Sequence, residues 1–417
     1  MLGSMISIIK RLKKPIRNIN KHFISLKRYN EFGFNFFNIL SFLLSISFCC
    51  YGEKKPSENT LLPFKTIVFV GSNESVGNGS SPHSMDRFCG IQYPYLSLLL
   101  PYLKARKHQV EVASWEDTSF DWSNKVVVLG PVWGYTTKKE QFIDWLQRVD
   151  SQSALVLNSV NFVIWNLEKT YLKDLNGEGI AIPETIIVDH KSPCSFSDIE
   201  SQFQRRFNQS NLIIKGVVDA AGLGYKHVCK NNRGECVKHF KKLKRDNGGV
   251  VVQRFIPEVS QKGELSFVFF GEELTHYFLK VPKSGEERVQ PFYGGRSFHL
   301  SKGFVDATIK KIRTQFRSDV TITTEEVNLA LHQVKVVCLK IFNFLKSKSI
   351  DPPLYLRIDG VVIDGRFTVM EVEGIEPYME IQEAMFHNPQ NNVLKKYYKA
   401  LSKALNNSYT KDSSKSS

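Results

Sequence analysis

From Thr66 onward, short runs of apolar residues alternate with longer segments in which apolar positions recur at helical spacing. Thr66–Val70, Val110–Ala113, Lys125–Leu129 and Ala154–Leu157 read as buried strands, and the run near Tyr93–Leu103 and Glu140–Val149 as the elements that cover them. Strands separated by covering segments of this length predict a parallel sheet with crossover helices. The loop Gly71–Gly79 after the first strand contains glycines but no G-x-G-x-x-G, so it predicts a mobile, substrate-facing loop rather than a dinucleotide site.

Beyond Phe162 the rhythm changes. A helix is predicted over Leu167–Leu175, then strands at Thr185–Val188, Asn211–Lys215, Val250–Phe255, Leu265–Phe270 and Leu274–Leu279. A long helix over Glu325–Phe344 follows, stopped before Pro352-Pro353. The expected class is therefore α/β followed by α+β, with no internal repeat. The tail from residue 396, and above all 402–417, is rich in Ser, Lys and Asn and is expected to be mostly disordered.

The pattern is most informative between Arg357 and Glu373, where β-branched and aromatic residues flank the turn dipeptide Asp364-Gly365. With a three-residue loop, Asp364-Gly365-Arg366, Ile363 pairs with Phe367, Asp359 falls opposite Glu371 and Arg357 opposite Glu373. All four then share one face. A two-residue loop would move Glu371 to the other face, because strand side chains alternate with a period of two. Opposed carboxylates roughly 5 Å apart at Cβ repel unless a cation lies between them. Mg²⁺, which takes one or two carboxylates together with substrate phosphates, answers that need, and Mn²⁺ would take the same ligands. The bland alternative is a solvated hairpin whose acids pair with Lys or Arg.

Upstream, Lys215 ends an apolar strand before the glycine-bearing Val217-Val218-Asp219-Ala220-Ala221-Gly222-Leu223-Gly224, where an ammonium and loop N–H groups can approach phosphate. Lys169 is a similar candidate from a helix. The strand ending Gln253-Arg254-Phe255-Ile256 can frame an adenine edge, with Glu258 or Glu264 in reach of ribose hydroxyls. Lys280, Arg288 and Arg296 can grip phosphate or carboxylate oxygens, Arg bidentately. Singly, each is an ordinary core or surface residue.

Composition narrows this only in part. The 417 residues are 42% hydrophobic, enough for two or three globular domains. The net charge of +15 suggests nucleic acid, yet residues 1–60 hold ten Lys or Arg against three acids. The rest has no Arg-rich or Lys/aromatic stripe beyond runs such as Lys241-Lys242-Leu243-Lys244-Arg245, so no specific nucleic-acid partner is expected. Residues 1–60 form a basic, then apolar segment. Its apolar part, 34–51, suits membrane contact as a signal anchor, a secretory signal or an organelle transit peptide, unless the start is wrongly extended. Cytoplasmic and organellar placement both stay open, and an ATP user would need its fuel on the same side. Seven cysteines without C-x-x-C argue against a disulfide framework. A zinc site from Cys229, Cys236, His227 and His239 fits no familiar spacing.

Taken together, the order of features resembles the ATP-grasp superfamily. It runs from a Lys in a helix and a Lys before a Gly-bearing loop, through Q-x-F-I-x-E, G-E-x-S, a Lys before R-V-Q and G-G, to R-x-D-G-V and E-V-E-G-I-E-P. Within that superfamily it is most similar to the branch of glutathione synthetase, the ribosomal-protein glutamate ligase and the cycloserine-pathway cyclo-ligase. Trp133-x-Tyr135, Phe142-x-x-Trp145-Leu146, Asn158 and Trp165-Asn166-x-x-Lys169 match the last of these. The resemblance implies a preceding α/β domain over 61–160 and an ATP-grasp domain over 161–395, its lid lobe at about 161–252 and its metal lobe at about 253–395. Lys169 and Lys215 would hold ATP phosphates, Gln253 to Ile256 would frame adenine, and Glu264 would meet ribose. Asp359, Glu371 and Glu373 would bind Mg²⁺, with Arg357 near the γ-phosphate and Arg288 on the acyl phosphate or substrate carboxylate. The implied activity joins a small-molecule carboxylate to an amine at the expense of ATP. A kinase acting on a hydroxyl and a silent ATP-binding protein are the rivals. Glu373 stands where many relatives have Asn, and Gly134 replaces an acid common between the Trp and the Tyr.

Overall fold

The computed structural model describes residues 66–76 and 94–413. The basic and apolar segment of residues 1–60, Gly77–Gly79 and Cys49, Cys50 and Cys89 lie outside them. No described helix is long and apolar enough to cross a membrane.

Three sheets organise the described residues. The first strands, β1 (Ile67–Gly71), β2 (Val110–Ser114), β3 (Val126–Leu129) and β4 (Leu155–Leu157), pair in parallel in the order β2-β1-β3-β4. Their apolar runs are buried on both faces, as parallel strands require. Helix Lys139–Gln152 turns Phe142, Trp145, Leu146 and Val149 into this core, where Phe142 and Trp145 stack with ring centroids 5.5 Å apart.

The second sheet is antiparallel, β5 (Thr185–Asp189), β6 (Leu212–Gly216), β7 (Lys226–His227) and β8 (Gly249–Arg254), in the order β5-β8-β6-β7. Helices Phe196–Phe207 and Arg233–Asp246 pack on one side of it through Phe196, Ile199, Phe203, Cys236 and Phe240.

The third sheet carries the site. Strands β9 (Glu264–Phe270), β10 (Glu273–Val281), β11 (Arg296–Leu300), β12 (Tyr355–Ile363) and β13 (Arg366–Glu373) lie in the order β11-β10-β9-β12-β13. Alternation splits it cleanly. Leu265, Phe267, Phe269, Leu279, Val281, Leu356, Ile358, Val369 and Val372 join the core beneath helix Thr324–Ser347. The opposite face presents Glu264, Ser266, Lys280, Arg357, Asp359, Glu371 and Glu373, as the pairing register dictates.

Three expectations are corrected. The helix predicted over Leu167–Leu175 is two helices, Val160–Leu167 and Tyr171–Gly177, and Lys169 occupies the break between them, its amide bonded to Val217 O at 2.9 Å. The tail is helical over Val393–Ser413, because Leu394, Tyr397, Leu401 and Leu405 recur at helical spacing and are buried. The β12–β13 turn is Asp364-Gly365 alone, both residues with positive φ (47° and 72°), and Ile363 pairs with Arg366. Two central residues at positive φ fit the hairpin's right-handed twist.

Candidate active site

A two-residue turn should have sent Glu371 to the apolar face, yet Asp359 pairs with Glu371 and Arg357 with Glu373. The pairing passes from Gly360↔Val369 to Asp359↔Glu371, so Met370 is an extra residue, a β-bulge. The bulge restores by one residue what the shorter turn takes away. The Met370 side chain packs against the cluster of Ile256, Val361 and Ile363. Gly360 makes the close approach feasible: a Cβ there would lie 2.5 Å from both Thr368 O and Phe367 Cζ.

Asp359, Glu371 and Glu373 bring one carboxylate oxygen each to within 4.8 Å of one another. Three cations pair with them and with Glu264, and a fourth, Lys215, lies beside them. Arg357 donates to Asp359 at 2.8 Å and lies 2.8 Å from Glu373. Lys280 lies 2.8 Å from Asp359 and 2.5 Å from Glu264. Lys169 pairs with Glu371, and Lys215 donates to the Gln253 side chain at 3.2 Å.

The shifts follow from burial set against this pairing. Burial alone would raise Asp359, but Arg357 and Lys280 outweigh it and hold the carboxyl well below its usual range. Glu371 is likewise lowered, by Lys169 against burial. Glu373 is pushed up to about 7, because burial and the charges of Glu371 and Asp359 exceed the pull of Arg357. Burial lowers Lys215 with help from the neighbouring Lys169 charge, and burial raises Glu264 despite Lys280. Burial would also lower Lys169 and Lys280, but their acid partners keep both ammonium groups firmly protonated.

The remaining sequence candidates divide. Gln253 is buried, its amide donating to Thr185 Oγ1 at 2.9 Å while its oxygen receives Lys215. The Arg254 and Phe255 amides are engaged by Glu184 O and Asn211 O, so the frame offered to a base edge is narrower than the sequence implies. The Arg254 side chain pairs with Glu184 at 2.9 Å, and Ile256 is buried beside Met370. Of the two acids weighed for ribose, Glu264 is drawn into the charged row, whereas Glu258 keeps a buried carboxylate oxygen with no hydrogen-bond partner among the described residues. Arg296 pairs with Val281, a core-face position, and lies over Phe316 rather than with the acids. Arg288 stands on the β10–β11 loop, donating to Glu286 at 2.9 Å with its guanidinium 3.4 Å from the Tyr293 ring centroid. No His/Cys metal cluster forms among the described residues: His239 Nε2 meets Gly224 O at 2.8 Å, and Cys236 Sγ meets Asn232 Oδ1 at 3.2 Å.

Sequence reasoning assigned no role to several site residues. Asp219, next to the Gly-bearing loop, is raised by burial and faces Lys169 and Lys215 while accepting the Gly224 amide at 3.1 Å. Asn158 is fully buried. It donates to Tyr355 O at 2.9 Å and Gly374 O at 2.7 Å and accepts from the amides of Leu354 and Tyr355. Asn166 donates to Val372 O and accepts from Gly374 N, each at 2.8 Å. Two amides thus fasten the strand end that carries Glu373. Their signal was visible only as a match to one branch.

The chain is similar to several known proteins. The family model for the N-terminal domain of D-cycloserine synthetase DcsG matches residues 84–158. The cycloserine biosynthesis protein DcsG of Streptomyces lavendulae is 23% identical over 171 residues, 41% of this chain. That match spans 56% of the relative's own length. The crystal structure of D-cycloserine synthetase DcsG superposes with a TM-score of 0.58 at 17% identity, over 79% of this chain and 100% of that one. D-alanine–D-alanine ligase from Bacillus anthracis, complexed with ATP, gives 0.50 at 15% identity, over 83% and 99%.

Proposed function

We infer that this chain, whose fold is that of the ATP-grasp ligases, activates a small-molecule carboxylate with ATP and joins it to an amine, releasing ADP and phosphate. One observation carries the reading: the hairpin register and its bulge put three carboxylates within 4.8 Å of one another on a face whose cations are all paired to acids or amides. An acid cluster this tight, lined by Arg and Lys, suits a polyphosphate and the divalent ions that accompany it.

The residues fit a divalent metal. Asp359, Glu371 and Glu373 would hold Mg²⁺, or Mn²⁺, and the third carboxylate gives this site one more negative charge than an Asn would. When bound, the metal neutralises charge on the transferring phosphoryl group. Lys169 and Lys215 hold the phosphates from the lid side, and the loop over Asp219–Gly224 brings its N–H groups close to them. Arg357, fixed by Asp359 and Tyr378 O, stabilises charge at the γ-phosphate as the substrate carboxylate attacks. Ile256, Val361, Ile363 and Met370 form the apolar floor under the base, and Glu258 meets the ribose. Arg288 grips the acyl phosphate or the carboxylate that precedes it, and the closed lid keeps water from the acyl phosphate until the amine arrives. The relatives' names, a cycloserine synthetase and a D-alanine–D-alanine ligase, favour small amino-acid-like substrates.

The test follows melting temperature with ATP and Mg²⁺, separately and together, and then ADP release across pairs of carboxylates and amines. A ligand at a hundred times its dissociation constant adds roughly 2.7 kcal/mol of stability. The expected result is a Mg²⁺-dependent ATP shift and ADP release that requires both partners. ADP release with a hydroxyl compound and no amine would make the chain a kinase. ATP binding without turnover by any acceptor would make it a silent binder.

A further inference from the structure

The β10–β11 loop, residues 282–295, belongs to the metal lobe, and the Asp219–Tyr225 segment to the lid lobe. They meet at one carboxylate. Tyr225 donates its hydroxyl to Glu287 Oε2 at 2.7 Å, and His227 Nδ1 lies 2.7 Å from Glu287 Oε1. Both oxygens of a single side chain are thus committed to the opposite lobe. His227 is itself held, its Nε2 2.6 Å from Asn211 Oδ1 and its ring stacked on Phe255 with centroids 4.1 Å apart and 15° between planes. The lid side of the tie is therefore fixed to the segment that frames the base. The loops also run close together at Gly222, where an added Cβ would come within 3.3 Å of Gln290 and 3.6 Å of Arg288.

We propose that Glu287 is a positioning residue: by tying the β10–β11 loop to Tyr225 and His227 it seats the adjoining Arg288 against the lid's Gly222, so that lid closure and presentation of Arg288 are one event. A connection between two strands that is free at its middle samples many backbone conformations, and fixing it opposes that entropy. Hydrogen bonds to a carboxylate are among the stronger ones available to offset it. Glu286 and Tyr293 brace the Arg288 guanidinium inside its own loop. Glu287 alone joins the brace to the other lobe among the hydrogen bonds described. The role given to Arg288 rests on the ligase reading above; the tie between the loops does not.

Hydrogen exchange on the full chain, read at residues 219–228 and 283–293, separates the two. The variants are Tyr225→Phe, Glu287→Gln and both together. Tyr225→Phe removes one bond of the tie and Glu287→Gln removes the charge that strengthens both, and each should speed exchange about tenfold in the opposite loop, the size expected for losing a hydrogen bond to a charged group. The double variant should add little beyond one single change, since both act on one tie. Glu287→Asp, which keeps the charge one methylene short, should recover part of the protection. ATP with Mg²⁺ should protect both loops in the parent chain but only 219–228 in Glu287→Gln. Exchange that rises only in the altered loop, or effects that simply add, would overturn the tie. Cross-loop opening in a parent chain that ignores ATP would uphold the tie and overturn the nucleotide reading, and with it the coupling to Arg288.

Discussion

Gly360→Ala is the sharpest probe of how the hairpin builds its acid cluster. The new methyl would lie 2.5 Å from Thr368 O and from Phe367 Cζ, roughly 1 Å inside ordinary van der Waals contact. The Phe367 ring can swing aside, but a paired backbone carbonyl cannot. The strands must separate where the register steps from Gly360↔Val369 to Asp359↔Glu371. Overpacking of this kind costs about 1–3 kcal/mol, within the stability of an ordinary domain, so the variant should fold. At about 2–4 °C per kcal/mol its melting temperature should fall by roughly 2–12 °C. The functional loss should be the larger effect, because a site must be held to within about 0.5 Å and Asp359 moves away from Glu371 by up to twice that. Titrating Mg²⁺ at fixed ATP and following the melting temperature should show the midpoint displaced by about 10–100-fold, the range seen when supporting contacts of a metal ligand are lost. A Gly360→Ala protein with parental melting temperature and an unmoved Mg²⁺ midpoint would refute the argument that this close approach sets the site.

Glu371→Gln should abolish ADP formation while the protein still melts cooperatively; unchanged turnover would remove Glu371 from the proposed metal site. Asn158→Ala leaves the amides of Leu354 and Tyr355 and the carbonyl of Gly374 without their side-chain partner, and should lower stability by about 2–4 kcal/mol in a denaturant titration. His276 supplies a pH test: burial, helped by the nearby His299 charge, lowers its pKa to about 3 against 6.5 in the unfolded chain. A depressed folded pKa makes its contribution complete above pH 6.5 and progressively lost as pH falls toward 3, at up to about 1.4 kcal/mol per pH unit. His276→Gln should flatten that acid limb, and an equally steep limb in the variant would assign the proton uptake elsewhere.

Much of this architecture is legible along the chain. The apolar runs of β1, β3 and β8 and the period of helix Thr324–Ser347 are local patterns that burial must satisfy, and the structure keeps them. The tail misled because Ser, Lys and Asn dominate its composition, while Leu394, Tyr397, Leu401 and Leu405 carry the period that folds it. Lys169 sat in a predicted helix because its neighbours have helical period; a tertiary contact, its amide to Val217 O, accompanies the break.

The hairpin shows where local reading ends. By itself the sequence determined that Arg357, Asp359, Glu371 and Glu373 lie on two strands around Asp364-Gly365, since propensity and turn chemistry depend only on neighbours. It could not determine that the turn has two residues and that Met370 bulges. Either a three-residue loop or a two-residue turn with one bulge puts the same acids opposite each other. Tertiary packing chose between them, because Met370 finds Ile256, Val361 and Ile363 on the same face as Glu371, and Gly360 lets the strands close at that step. The Lys169–Glu371 pair and the Tyr225–Glu287 tie join residues far apart in the chain, and only the folded lobes bring them within bonding distance.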